Sequence, residues 1–122
     1  MKKTRIIIVE DNNIIALDLK HSLEKIGYEI VDVVTSGEEA IAQTSELKPD
    51  LVIMDIRLRG NIDGIEVARS IHTKECLPIL FVSAYGDEET IQRAEKCADK
   101  IGYIVKPYNN DQLFSSIEKL LV

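Results

Sequence analysis

The chain has 122 residues, of which 45% are hydrophobic and 30% are charged, a length and composition typical of one domain with a single core. Its formal net charge of −6 disfavours contact with the phosphate backbone of nucleic acids, so direct DNA binding by this domain is not expected. The apolar run at residues 6–9, behind a basic N-terminus, is too short for a signal peptide or a membrane span, so we predict a cytoplasmic protein.

Five short apolar runs recur along the chain and are rich in β-branched residues. They mostly lack the polar alternation of a strand with one solvated face, which is typical of strands buried on both faces of a parallel sheet. The predicted strands are residues 6–9, 30–34, 51–54, 79–82 and 103–105.

Segments of helical period separate these strands. In the first segment, Ile15, Leu19, Leu23 and Ile26 recur at helical spacing, and Gly27 stands where such a helix would end. These four apolar residues are expected to form the stripe that faces the sheet.

Four more helical segments follow the later strands. The second is predicted to begin at Ser36, and the third covers residues 65–71. The fourth is predicted to start near Asp87, and the fifth is expected to be capped by Asn110 or Asp111.

The alternation of strands and helices predicts five βα units. Neighbouring parallel strands need crossover connections of about a dozen residues or more. Right-handed crossovers then place helices on both faces of one sheet. We therefore predict an α/β fold with a doubly wound, five-stranded parallel sheet in a single domain over residues 1–122.

Polar residues follow four of the five strands at the point where each strand ends. Glu10 and Asp11 follow the first strand, Asp55 the third, Ser83 the fourth and Lys106 the fifth. Because ligands of open α/β sheets bind at the carboxyl edge of the strands, these side chains are expected to form one site. The second strand ends without a charged residue, which suggests that it lies to one side.

The residue types at this edge suit phosphoryl transfer. Crowded carboxylates repel one another unless a cation is present, and oxygen ligands at this density suit Mg²⁺. Lys106 offers a fixed positive charge and Ser83 a hydroxyl donor, so the set could neutralise a phosphoryl group on its way to Asp55. Taken singly, each residue has a simpler interpretation as a helix cap, a turn or a solvated charge; their coincidence at one edge favours function.

The motifs resemble those of the response-regulator receiver domain of two-component signalling, over essentially the whole chain. The matching fragments are I-I-V-E-D at residues 7–11, D-L-V-I-M-D at 50–55, D-G at 63–64, S-A at 83–84 and K-P at 106–107. Each fragment is weak alone, but their order and spacing together are specific. The resemblance implies a flavodoxin-like three-layer sandwich with strand order 2-1-3-4-5.

The resemblance also implies a phosphoacceptor and a metal site. Asp55 would accept a phosphoryl group from the phosphohistidine of a sensor histidine kinase or a phosphotransfer protein. Glu10, Asp11, Asp55 and the backbone carbonyl of Arg57 would hold Mg²⁺ or Mn²⁺. The domain would catalyse its own phosphorylation and dephosphorylation without being a turnover enzyme.

Switching is implied for a second group of residues. Lys106 would pair with the phosphoryl group, Ser83 would hydrogen-bond it, and Tyr103 would swing inward. The Lys106–Pro107 bond would be cis. The face made by the fourth helix, fifth strand and fifth helix would then change and act on an output domain or a partner protein. A homodimer is a further partner that the resemblance allows.

The chain departs from the family pattern at two places. The stretch from Asp55 to Gly64 is one residue longer than usual, so the loop at residues 58–61 is expected to be reshaped. The stretch before the last strand is also about one residue longer, which bears on the exact placement of Tyr103. The chain could also be the N-terminal part of a longer protein.

Three other functions fit the sequence less well. A haloacid-dehalogenase-like hydrolase would carry a second aspartate two residues after its nucleophile, where this chain has Arg57. A flavodoxin-like cofactor binder would need a Gly/Ser/Thr-rich loop in place of Glu10-Asp11-Asn12-Asn13. A degenerate receiver used only for protein interaction is disfavoured because all the charged positions are present.

Overall fold

A computed structural model describes residues 3–58 and 63–121 of the chain. Strands and helices alternate along the chain. In chain order they are β1 Arg5–Val9, α1 Asn13–Lys25, β2 Glu29–Val34, α2 Gly37–Leu47, β3 Leu51–Met54, α3 Gly64–Lys74, β4 Ile79–Ser83, α4 Glu88–Glu95, β5 Ile101–Val105 and α5 Asn110–Leu121. The strands form one parallel sheet in the order β2-β1-β3-β4-β5, which confirms the predicted fold and strand order.

Backbone hydrogen bonds extend the sheet one residue beyond the strand ends. The N–H of Glu10 donates to the Val34 carbonyl at 3.0 Å, and the N–H of Asp55 donates to the Val9 carbonyl at 3.0 Å. On the other side of the sheet, the N–H of Lys106 donates to the Ser83 carbonyl at 2.8 Å. The residues that follow β1, β3 and β5 are therefore held in register by the sheet itself.

The core has two layers, one on each face of the sheet. Helices α2, α3 and α4 cover one face, and α1 and α5 cover the other. Alternate residues of β1 enter the two layers, with Ile7 and Val9 in the first and Ile6 and Ile8 in the second. This double burial is the reason that the central strands are apolar without alternation.

The helices differ in how firmly they are anchored. Helix α5 buries Leu113 and Ile117 against the sheet. Helix α4 has eight residues, and Ala94 is its buried side chain. No helix among residues 3–58 and 63–121 is long and apolar enough to cross a membrane.

The first and last residues of the predicted α1 stripe do not face the sheet. The helix buries Ala16, Leu19 and Leu23, whereas Ile15 and Ile26 are 40% and 43% exposed. The buried stripe begins at Ala16 instead of Ile15, and it stops before Ile26 because α1 ends at Lys25 and Ile26 is its C-terminal cap residue.

The cap of α5 and the start of β5 also differ from the predictions. Helix α5 is capped by Asn109, because its side chain accepts from the Gln112 N–H at 2.8 Å while the Gln112 side chain accepts from the Asn109 N–H at 2.9 Å. Strand β5 starts at Ile101, two residues before the prediction. Gly102 hid this start, since a strand glycine reads as a break, yet here it leaves room for Leu80 and Leu120.

Candidate functional site

Three carboxylates meet at the carboxyl edge of the sheet. Glu10 and Asp11 follow β1 and Asp55 follows β3, and one oxygen from each lies within 4.8 Å of the others. Glu10 is buried, with 4% of its surface exposed, while Asp11 and Asp55 are half-buried. The short distances follow from the pairing of β1 with β3, which sets the two strand ends side by side.

Glu10 lies in an unfavourable environment for a negative charge. Its Oε2 atom is buried and has no hydrogen-bond partner among the described residues. Burial and the neighbouring Asp55 carboxyl raise its pKa to about 7, and Lys106 opposes this effect. A buried oxygen without a partner costs free energy, which a bound cation would recover. The three carboxylates therefore fit a hard divalent ion such as Mg²⁺.

The predicted cation reaches the same cluster from β5. The Lys106 ammonium lies 3.6 Å from Glu10 Oε1 and 3.9 Å from Asp55 Oδ2. Both distances are long for a direct hydrogen bond, so the ammonium balances the two carboxylates without engaging either of them closely. The Lys106–Pro107 peptide bond is cis, as the resemblance implies.

Ser83 and Tyr103 meet at the loop that follows β4. Ser83 is fully buried, and its Oγ accepts a hydrogen bond from the Tyr85 N–H at 3.0 Å. The Tyr103 hydroxyl donates to the Tyr85 carbonyl at 2.7 Å, and its ring centroid lies 6.2 Å from that of Phe81. Tyr103 thus already contacts this loop, while its inward movement stays a prediction.

Arg57, in the loop after β3, contacts Asp55 through its backbone and Tyr85 through its side chain. Its N–H donates to Asp55 Oδ1 at 3.2 Å, and its guanidinium carbon lies 5.2 Å from the centroid of the Tyr85 ring. The side chain of Arg57 therefore contacts the β4–α4 loop. Of the predicted loop at 58–61, residues 59–61 lie outside the described part of the chain.

Gly64, part of the D-G fragment, contacts the backbone that follows β3. Its N–H donates to the Ile56 carbonyl at 2.6 Å. A Cβ atom at this position would overlap the Asp55 carbonyl oxygen and lie 2.8 Å from the Ile56 Cα. Asp63 just before it caps α3 through the Glu66 N–H at 2.9 Å. The D-G fragment thus places the start of α3 directly against Asp55. This fragment is the feature of the sequence from which the contact could have been predicted.

The pKa of Glu10 leads to a prediction for stability against pH. Its ordinary value is 4.5 and its value in the fold is about 7, so the folded state binds the proton more tightly than the unfolded chain does. The contribution of Glu10 to the free energy of unfolding should therefore fall as pH rises from 4.5 to 7, by about 3 kcal/mol. Urea unfolding of the metal-free protein across this range, compared with Glu10→Gln, measures the effect. Glu10→Gln should remove this part of the slope.

The matched control is Glu24→Gln, which removes an exposed carboxylate from α1. This variant should keep the wild-type slope of unfolding free energy against pH. Equal slopes for wild type and Glu10→Gln would contradict the assigned environment of Glu10. Saturating Mg²⁺ should flatten the slope in the wild-type protein, because a bound cation favours the charged form of the carboxyl.

Comparison with known proteins connects this geometry to a family. The family model of the response regulator receiver domain matches residues 6–118. The transcriptional regulatory protein PdtaR of Mycobacterium tuberculosis is 38% identical over 114 residues, which cover 93% of this chain and 55% of PdtaR. The chemotaxis protein CheY of Thermotoga maritima is 33% identical over 118 residues, which cover 95% of this chain and 96% of CheY.

A solved structure agrees with these relatives. The signal receiver domain of a modulated diguanylate cyclase from Desulfovibrio desulfuricans G20 superposes with a TM-score of 0.88 at 38% identity, covering 98% of this chain and 94% of that one. The chain spans about half the length of the first curated relatives that it matches. The family match leaves no support for the hydrolase and flavodoxin alternatives. The sequence, the fold and the relatives all agree, and the chain belongs to the response regulator receiver domains.

Proposed function

We propose that this receiver domain accepts a phosphoryl group on Asp55 from the phosphohistidine of a sensor histidine kinase or a phosphotransfer protein, in a Mg²⁺-dependent reaction. The observation that carries the proposal is the cluster of Glu10, Asp11 and Asp55 with the Lys106 ammonium beside it. Crowded acids with one buried, unpartnered oxygen are a costly arrangement for a fold unless they serve a ligand. The domain thereby acts as a phosphoacceptor switch and not as a turnover enzyme.

Each residue has a role in the proposed transfer. An Asp55 carboxylate oxygen attacks phosphorus, the bond from phosphorus to the histidine nitrogen breaks, and the histidine leaves with the electron pair. Lys106 neutralises one equatorial oxygen, and Ser83 donates its hydroxyl proton to another. Glu10, Asp11, Asp55 and the Arg57 carbonyl would hold Mg²⁺ or Mn²⁺, which supplies positive charge to the phosphoryl oxygens when bound.

The switch follows from the position of Ser83. When its hydroxyl turns to the phosphoryl group, the β4–α4 loop and Tyr103 adjust with it, because Tyr85 contacts both residues. The face formed by α4, β5 and α5 would then change its population of conformations. The partner is an output domain or a separate protein, and a homodimer is an alternative.

The remaining assignments belong to the same proposal. Residues 1–122 form one receiver domain, and relatives of about twice its length support its membership in a larger regulator. A cytoplasmic location accords with the thiols of Cys76 and Cys97, which are unpaired among the described residues. The net charge of −6 supports indirect control of any nucleic acid target.

Beryllofluoride, a phosphoryl mimic, tests the proposal without a kinase. Together with Mg²⁺ it should bind the wild-type protein and shift the backbone amide signals of α4, β5 and α5 in NMR spectra. Beryllofluoride with EDTA should leave these signals unchanged. A wild-type protein that shows no shift with both components would contradict the proposal and favour a degenerate receiver that serves only for protein interaction.

A further inference from the structure

Two loops beside Asp55 are joined by a pair of side chains. Arg57 follows β3 and Tyr85 follows β4, and the guanidinium carbon of Arg57 lies 5.2 Å from the centre of the Tyr85 ring. This distance lies within the range of a cation–π contact. Both residues line a groove of about 250 Å³ together with Ile56, Asp63, Thr90 and Arg93.

The backbone of each partner contacts a residue of the proposed reaction. The Arg57 N–H donates to Asp55 Oδ1 at 3.2 Å, and the Tyr85 N–H donates to Ser83 Oγ at 3.0 Å. The Tyr85 carbonyl accepts from the Tyr103 hydroxyl at 2.7 Å. The Arg57–Tyr85 contact therefore lies between the phosphoacceptor on one side and both switch residues on the other.

The hydrogen bond to Ser83 has a chemical consequence. Since Ser83 Oγ already accepts from the Tyr85 N–H, one of its lone pairs is occupied. Its own hydroxyl proton then stays available to donate to a phosphoryl oxygen. A serine held in this way needs less rearrangement at the moment when the phosphoryl group arrives.

The neighbouring charges leave Arg57 free to contact the ring. Arg93, the other arginine of the groove, lies 3.2 Å from the Asp63 carboxylate and so has a partner of its own. Both carboxylate oxygens of Asp63 have partners, since one contacts Arg93 and the other caps α3. Arg57 is exposed, and the cation–π contact is the one that the structure gives its guanidinium among the described residues.

We infer that Arg57 and Tyr85 are positioning residues, whose side-chain contact ties the β4–α4 loop to the loop after β3 and so limits how far Ser83 must move to reach the phosphoryl group. The inference rests on the proposed function of Asp55 and extends it to two side chains outside the charged cluster. In the phosphoryl-free protein, the contact keeps Ser83 oriented and Tyr103 bonded to the loop. Loss of the contact lowers the fraction of competent molecules, and apparent affinity for a phosphoryl mimic falls by the same fraction.

The first test uses the protein without metal or phosphoryl mimic. Ring ¹H–¹³C NMR signals of Tyr103, assigned with Tyr103→Phe, should move in Arg57→Met and in Tyr85→Leu as the hydroxyl loses its bond to the loop. Arg69→Met removes an exposed arginine of α3 that pairs with Glu66, and it should leave these signals in place. Wild-type Tyr103 signals in Arg57→Met would overturn the inference.

The second test is a double-mutant cycle on beryllofluoride affinity in the presence of Mg²⁺. Each single substitution should weaken binding about two- to fivefold, the size expected for one exposed cation–π contact. The double variant should bind no more weakly than either single variant, because both remove the same contact. Tyr85→Phe keeps the ring and should match wild type.

The outcomes separate the inference from the proposed function. If the two substitutions weaken beryllofluoride binding independently, Arg57 acts through its charge on the anion and the positioning role is overturned. If the wild-type protein does not bind beryllofluoride at all, the proposed function fails. The Tyr103 signals in the unliganded variants still decide whether the contact holds the loop.

Discussion

Asp55→Asn is expected to take up no phosphoryl label from acetyl phosphate with Mg²⁺, a loss of at least about a hundredfold in rate. The amide keeps the shape of the side chain, but its oxygen is a poor nucleophile and does not carry the charge that the attack requires. Labelling can be followed with radiolabelled acetyl phosphate, and the modified residue can be identified by mass spectrometry. The matched control is Asp99→Asn, an exposed aspartate just before β5, which should label like wild type.

A folding defect can be separated from this chemical effect. The Asp55 carboxyl is one of the causes that raise the pKa of Glu10, so its removal should relieve repulsion and lower that pKa. Asp55→Asn should therefore be at least as stable as the metal-free wild type at pH 7. Labelling of Asp55→Asn at the wild-type rate, or wild-type label on another residue, would refute the assignment of the phosphoacceptor.

Gly64→Ala is expected to destabilise the domain by about 3 kcal/mol and to slow labelling of Asp55. The new Cβ would overlap the Asp55 carbonyl oxygen and lie 2.8 Å from the Ile56 Cα. Both contacts are with backbone, so neither can be relieved by rotation of a side chain. Either α3 moves away from the end of β3 or the Asp55 backbone shifts, and both changes displace the phosphoacceptor.

Gly86→Ala provides the comparison for this substitution. Its Cβ would meet a methyl group of Val105 at 3.3 Å, a contact that a side chain can relieve, so a cost within about 1 kcal/mol is expected. Urea unfolding gives the stability of both variants, and acetyl phosphate labelling gives the reactivity of Asp55. Wild-type stability for Gly64→Ala would contradict the close approach of α3 to Asp55.

The fold was predictable because its signals are local. The central strands are buried on both faces, so their sequences are continuous apolar runs. The side chains of Ser36 and Asp87 cap their helices by accepting hydrogen bonds from backbone N–H groups three residues further on. The predicted boundaries were wrong where neighbouring residues could provide the same helix cap, or where a glycine lies inside a strand. Asn109 caps α5 in place of Asn110 or Asp111, because the side chains of Asn109 and Gln112 each accept a hydrogen bond from the other's backbone N–H.

The proximity of the charged residues was predictable, but the energetics of their cluster were not. Because Glu10, Asp55 and Lys106 each follow a predicted strand, the sequence alone predicts that they lie at one edge of the sheet. The burial of Glu10 and the contact between Arg57 and Tyr85 depend on how two loops approach each other. That approach is set by tertiary packing, and no periodicity or spacing in the chain encodes it.

The unequal anchoring of α4 and α5 makes the proposed output face stiff on one side and compliant on the other. Helix α5 would have to withdraw Leu113 and Ile117 from the core in order to shift, whereas α4 has the single small side chain of Ala94 to withdraw. Displacement of α4 therefore exposes far less apolar surface and costs less free energy. A partner that binds both helices would contact α5 in a fixed position and α4 in a position that changes on phosphorylation. Such a partner would therefore respond to the distance between the two helices.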